Sequence, residues 1–215
     1  MSLAEALEAR VALGRKKIPT SILEVMDKTT NDLITKEISA EAFKVGDTFP
    51  SFELPNVKSE EVSLNNIKGE KATVISFYRG GWCPYCNLEL QALQQALPEF
   101  KNLGANLVAI SPETPDSSLT TEEKNELTFE VLSDIDNKLG KELGLVFKLD
   151  EELENIYSNE FKIDLEKHNQ NTTGELPMAA TYVIDNDHVI QYAFVKEDYT
   201  KRAEISEIRK ALENI

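Results

Sequence analysis

The run Ala72-Thr73-Val74-Ile75-Ser76-Phe77-Tyr78 is β-branched and aromatic with few polar breaks, the pattern of a strand inside a sheet covered on both faces. It feeds directly into Arg79-Gly80-Gly81-Trp82-Cys83-Pro84-Tyr85-Cys86. Pro84 suits the first position of a helix, where its missing N–H costs nothing. Cys86, Leu90, Leu93, Leu97 and Phe100 then recur at helical spacing. The segment reads as buried strand, tight turn, helix. Pro98 is expected to kink or break that helix.

The rest of the chain extends this unit into an α/β fold. Residues 44–56 carry a Gly, two Pro and alternating Phe and Leu, which suits an edge strand or hairpin, and residues 61–64 form another short strand candidate. Leu107 to Ile110 reads as a second buried strand. Residues 112–118 form a turn-rich loop, 119–127 a short helix, 129–132 a strand, and 136–143 and 149–157 further helices. Residues 181–185 and 189–194, joined by a turn at 186–188, make a hairpin. Residues 204–214 close with an amphipathic helix. This order implies a central sheet with helices on both faces and a parallel, right-handed first crossover. The cysteine turn would lie at a strand's carboxyl end, the usual ligand position in open α/β sheets.

Apolar residues among 3–36 also recur at helix-like spacing, interrupted at Pro19-Thr20, with Thr20 or Ser21 able to cap a second helix. We divide the chain into an N-terminal helical extension, residues 1–43, and an α/β domain, residues 44–215. A hydrophobic content of 41% with 28% charged residues excludes a disordered or fibrous chain.

With 23 Lys and Arg against 38 Asp and Glu, the net charge is −15. Such a surface repels phosphate, so nucleic acid and anionic membranes are poor partners. No apolar run approaches the roughly 18 residues of a membrane span, and the N-terminus lacks the pattern of a secretory signal. A reducing cytoplasm is the expected compartment, where two close cysteines are more often catalytic than structural.

Both cysteines of the chain fall in the one C-x-x-C motif. A structural zinc site wants four ligands, and no second pair exists. No metal or cofactor is expected. His168 and His188 read as solvated surface residues, and Ser111 to Thr114 as a plain turn near the reactive face. A helix start favours a thiolate through its unpaired N–H groups and partial positive charge. A one-turn spacing lets Cys83 and Cys86 close a small disulfide ring that opens and reforms without moving the domain. Trp82, Pro84 and Tyr85 are positioned to line a pocket and shield the sulfurs. Arg79, the only basic residue nearby in sequence, is the candidate stabiliser of a thiolate or a polarised peroxide.

These motifs resemble the peroxiredoxin-like (alkyl hydroperoxide reductase/thiol-specific antioxidant) family, in its branch with a thioredoxin-type C-x-x-C. The likeness spans residues 44–214. It rests on Val45-Gly46-Asp47 with Phe49-Pro50, on Phe77 to Cys86, on Val108 to Glu113, Leu132-Ser133-Asp134 and Ala180 to Asp185, and on Asp198-Tyr199-Thr200-Lys201-Arg202-Ala203-Glu204. The resemblance implies a thioredoxin-like fold and a thiol peroxidase that reduces hydrogen peroxide or organic hydroperoxides. Its electron donor would be thioredoxin-like or glutathione-based. The apolar face of the N-terminal helices needs a surface to bury, which implies a monomer capped by its own helices or else a homodimer. In the family's P-x-x-x-T-x-x-C pattern the peroxidatic cysteine falls on Cys86, the Thr on Cys83 and the Pro on Arg79. The family's catalytic Arg falls on Ala179, as does the cis-proline of thioredoxin. By register Cys86 attacks peroxide and Cys83 resolves; by exposure at the helix start Cys83 is the better attacker of protein disulfides. A general dithiol–disulfide oxidoreductase, or a non-enzymatic redox sensor or interaction module, are the other readings.

Overall fold

The computed structural model describes residues 2–215. In chain order it contains α1 (Leu3–Lys17), α2 (Thr20–Thr35), β1 (Glu53–Pro55), β2 (Glu61–Ser63), β3 (Ala72–Phe77), α3 (Pro84–Asn102), β4 (Ala105–Ser111), α4 (Pro115–Lys124) and β5 (Glu130–Ser133). It continues through α5 (Lys138–Glu142), β6 (Val146–Lys148), α6 (Glu151–Asn159), α7 (Leu165–Asn169), β7 (Glu175–Pro177), β8 (Ala179–Asp185), β9 (Ile190–Lys196) and α8 (Ile205–Glu213).

The central sheet has the order β5-β4-β3-β8-β9. The first three strands are parallel, and β8 and β9 are antiparallel additions on the other side of β3. Alternation along the strands sorts side chains into two cores. Val74, Leu107, Ala109, Val131 and Val183 face α3 and α8. Ile75, Phe77, Val108, Ile110 and Tyr182 face Phe49, Phe52, Leu139 and Leu143. All six residues of β3 are buried, so the strand before the cysteines is held from both sides.

Pro98, expected to kink or break the helix, does not break it: α3 runs from Pro84 to Asn102. Proline there removes one hydrogen bond, to the Gln94 carbonyl, while Leu93, Leu97 and Phe100 stay buried against the sheet. The capping expected of Thr20 or Ser21 is absent: Pro19 takes the cap position, and both residues belong to α2. The loop expected over 112–118 is cut short because Pro115 already begins α4. Strands β6 and β7 and helix α7 carry no expectation from sequence; they are three to five residues long, too short to show a period.

The N-terminal helices fold back over the domain, α1 against α3 and α2 against α6. Ser2 and Glu5 form a reciprocal cap at the start of α1. Only Leu3, Leu7 and Gly14 of α1 and Thr29 of α2 are buried. Each fully buried leucine contributes roughly 1.5–3 kcal/mol, so this hairpin is held far more lightly than the sheet. The Thr29 hydroxyl donates to Asp150 at 2.6 Å and helps tie α2 to the start of α6. No described helix is long and apolar enough to cross a membrane.

Candidate active site

Strand β3 ends at the sheet's carboxyl edge, and residues 78–83 turn the chain into α3. Gly80 sits at φ +153°, and a Cβ there would run into the Trp82 indole. Cys83 is the N-cap of α3 and its N–H donates to the Gly80 carbonyl at 3.0 Å; Pro84 follows as the first helical residue. Cys86 lies on the first turn. Both cysteines are free thiols with 0% exposure. The exposure expected to favour Cys83 is therefore absent.

Each sulfur has its own guanidinium. Arg79 Nη2 lies 3.2 Å from Cys83 Sγ, and Arg79 Nη1 donates to the Tyr157 hydroxyl at 3.1 Å. The same guanidinium stacks over the Tyr199 ring at 4.5 Å and the Trp82 ring at 5.3 Å. Arg202 Nη2 lies 3.2 Å from Cys86 Sγ. Its Nε donates to Glu89 Oε2, and its Nη1 to the Tyr199 and Lys201 carbonyls. Thr181 Oγ1 completes the group, 3.4 Å from Glu89 Oε1. Arg79 is thus not the lone cation that its sequence neighbourhood implies. Ala179, where the family's Arg would fall, is a buried alanine at the start of β8, and Arg202 supplies a cation from a distant segment.

Burial by itself pushes the Cys83 thiol up, but a hydrogen bond from Cys86 and the Arg79 and Arg202 cations outweigh it and hold Cys83 well below the usual thiol range. Burial, the hydrogen bond to Cys83 and the charge on Cys83 push Cys86 well above that range. The two sulfurs titrate as one unit that gives up its first proton readily and keeps its second. Beneath them, burial raises Glu89 to about 7 against the pull of Arg202.

A second set of contacts fixes the turn. Glu113 Oε2 accepts the Gly81 N–H at 2.9 Å and Glu113 Oε1 lies 3.1 Å from His168 Nδ1. His168 is thus half-buried beside a buried carboxylate, not the solvated residue expected, and Glu113 is more than part of a plain turn. Asn87 Nδ2 donates to the Gly81 carbonyl at 2.8 Å. A Cβ on Gly81 would overlap Thr121 Oγ1. Gly81→Ala is accordingly expected to cost about 1–3 kcal/mol, the usual effect of overpacking, and to slow thiol alkylation by displacing the turn. Thermal melts and alkylation rates test this; wild-type values of both would show that the turn is not clamped.

Trp82, Pro84 and Tyr85 are half-buried and line one side of a cavity of about 1130 Å³ whose other side is α1 and α2. Arg79 and Arg202 reach its floor, with the sulfurs just below.

The AhpC/TSA family pattern matches residues 45–193. The chain belongs to the AhpC/TSA family. Among its relatives, the chloroplastic peroxiredoxin Q of Oryza sativa subsp. japonica is 27% identical over 208 residues, 96% of this chain and 82% of the relative. Peroxiredoxin Bcp of Escherichia coli (strain K12) is 31% identical over 102 residues, 47% of this chain and 65% of the relative. Peroxidoxin BcpB from Mycobacterium tuberculosis superposes with a TM-score of 0.63 at 20% identity, over 80% of this chain and 98% of that one. The reduced 2-Cys peroxiredoxin of Plasmodium vivax gives 0.60 at 20% identity, over 80% and 81%. The fold is thioredoxin-like, and the chain is a thiol-dependent peroxidase of the AhpC/TSA family. Helices α1 and α2 and the segment carrying Arg202 lie outside the matched family region.

Two functional groups escaped the sequence reading. Arg202 lies in the Asp198–Glu204 stretch that carries part of the family resemblance, but a single Arg in a polar segment gives no sign of reaching Cys86. Glu89 offered a weak signal: a charged residue one turn after Cys86 on the otherwise apolar face that carries Leu90 and Leu93.

Proposed function

We propose that Cys83 and Cys86 are the redox couple of this peroxidase, with Cys83 attacking and Cys86 resolving. The observation that carries the reading is the pair of guanidiniums, each 3.2 Å from one sulfur of a buried dithiol. The Cys83 thiolate donates an electron pair to the terminal oxygen of ROOH. An S–O bond forms, the O–O bond breaks and the alkoxide leaves beside Arg79, taking up a proton to become ROH. Cys86 then attacks the sulfenic acid sulfur and water leaves. Overall, dithiol plus ROOH gives disulfide, ROH and water. Assigning attack to Cys83 departs from the family register; its place as the N-cap of α3, 3.2 Å from the Arg79 guanidinium, is the reason.

The disulfide would return to the dithiol through a thioredoxin-like or glutathione-based donor, in a reducing compartment such as the cytoplasm. Residues 44–215 would form the catalytic domain and residues 1–43 an extension that caps it, which favours a monomer over a homodimer.

Treating the reduced protein with one equivalent of hydrogen peroxide should remove two thiols per peroxide. Mass mapping should find one Cys83–Cys86 link inside a single peptide. Unreacted thiols, or links only between chains, would end this reading.

A further inference from the structure

We propose that the N-terminal helical hairpin is a substrate-selecting wall, one that binds the apolar body of an organic hydroperoxide above the dithiol. The inference rests on the peroxidase reading of Cys83 and Cys86. The cavity of about 1130 Å³ between the hairpin and the dithiol face is far larger than hydrogen peroxide needs, since a water molecule takes about 30 Å³ in the liquid. Leu7, Val11, Ile18 and Met26 line it from the hairpin, opposite Trp82 and Tyr85. Val11, Ile18 and Met26 are only half-buried, so they keep apolar surface that a ligand can cover.

The floor is polar in a way that fits the other end of the same molecule. Arg79 and Arg202 both line it, each 4% exposed. Their guanidiniums present positive charge to an oxygen of the peroxide or of the departing alkoxide. A ligand with an oxygen head at the floor and a hydrocarbon body against the helices answers both halves of the cavity. Entry is served by the light anchoring of the hairpin, whose few buried side chains allow it to swing.

Burying one methylene is worth about 0.8 kcal/mol, roughly fourfold in affinity. Cumene hydroperoxide, with an aromatic ring and two methyl groups, should therefore show a KM at least about tenfold below that of hydrogen peroxide. Val11→Phe, which narrows the cavity, and Met26→Glu, which charges its wall, should each raise the KM for cumene hydroperoxide about fivefold or more. Hydrogen peroxide kinetics should stay within twofold of wild type, with melting temperatures confirming that both variants fold. Trp82 is the only tryptophan, so its fluorescence reports occupancy without turnover. Cumyl alcohol, the unreactive product, should change that fluorescence saturably in the wild type and more weakly in both variants. Equal KM values for the two peroxides, or variants that shift both alike, would overturn the wall. Consumption of neither peroxide by the wild type would instead remove the peroxidase reading, and the wall with it.

Discussion

Cys83→Ser is expected to lower the second-order rate constant for peroxide reduction by at least about 1,000-fold, the scale on which an enzyme loses its nucleophile. A serine hydroxyl beside Arg79 is not ionised at neutral pH and cannot stand in for the thiolate. Cys86→Ser is expected to keep the first attack and stop there, because the serine hydroxyl can still donate to the Cys83 sulfur but cannot form a disulfide. A sulfenic acid on Cys83, trapped with dimedone and read by mass, is the sign of that arrest. The pH dependence follows from the direction of the Cys83 shift. With its thiol held below the usual range, the rate should fall on acidification at a lower pH than it would for an ordinary thiol. The same shift is a stability term: it is present in full above the unfolded thiol's ordinary value and is lost as pH falls through the folded one. If Cys83→Ser kept a rate within tenfold of wild type while Cys86→Ser was inactive, attack would belong to Cys86, the cysteine the family register selects.

The strand–turn–helix that carries both cysteines was readable in sequence because each part has a local signal. An unbroken β-branched run marks a strand buried on both faces, Pro84 marks a helix start, and the apolar spacing from Cys86 to Phe100 marks the packed face. The N-terminal helices were readable for the same reason. What those helices cover was not. Their period shows that one face is apolar, and only the tertiary structure shows that this face spans the dithiol and leaves a cavity above it. Pro98 does not break the helix because the burial of Leu97 and Phe100 on either side outweighs one lost hydrogen bond.

Ala179 marks the limit more sharply. The register correctly empties that position of a cation, and local neighbourhood offered only Arg79 in its place. The Cys86 cation comes from Arg202, 116 residues away in sequence. No periodicity or spacing rule links a loop arginine before the last helix to the first turn of α3. The link exists because β8, β9 and α8 bring that segment back beside β3, which is a property of topology. Glu113 and His168 meet through the same kind of return, one from the loop after β4 and the other from α7.

Arg202→Ala is expected to be the most destabilising single change at the site, costing about 3–5 kcal/mol, because it strips the cation from a buried carboxylate. For a chain of this size, that corresponds to a fall of roughly 6–20 °C in melting temperature. Arg202 is 4% exposed and Glu89 2%, so water replaces none of what is lost. In the wild type Glu89 sits at about 7, above its unfolded value. The folded state therefore binds more protons than the unfolded state across the interval between the two, and stability falls as pH rises through it. Without Arg202 the folded carboxyl rises further, so the fall extends to higher pH and the variant should lose more stability at pH 8 than at pH 5.5. Arg202→Met combined with Glu89→Gln should recover much of the loss, since a neutral amide has no charge left to pair. The double variant should still react slowly, because Cys83 has lost one of the two cations that lower its thiol. Melting curves at the two pH values decide the matter: an Arg202→Ala variant equally stable at both would mean that Glu89 is not the buried acid that Arg202 holds in place.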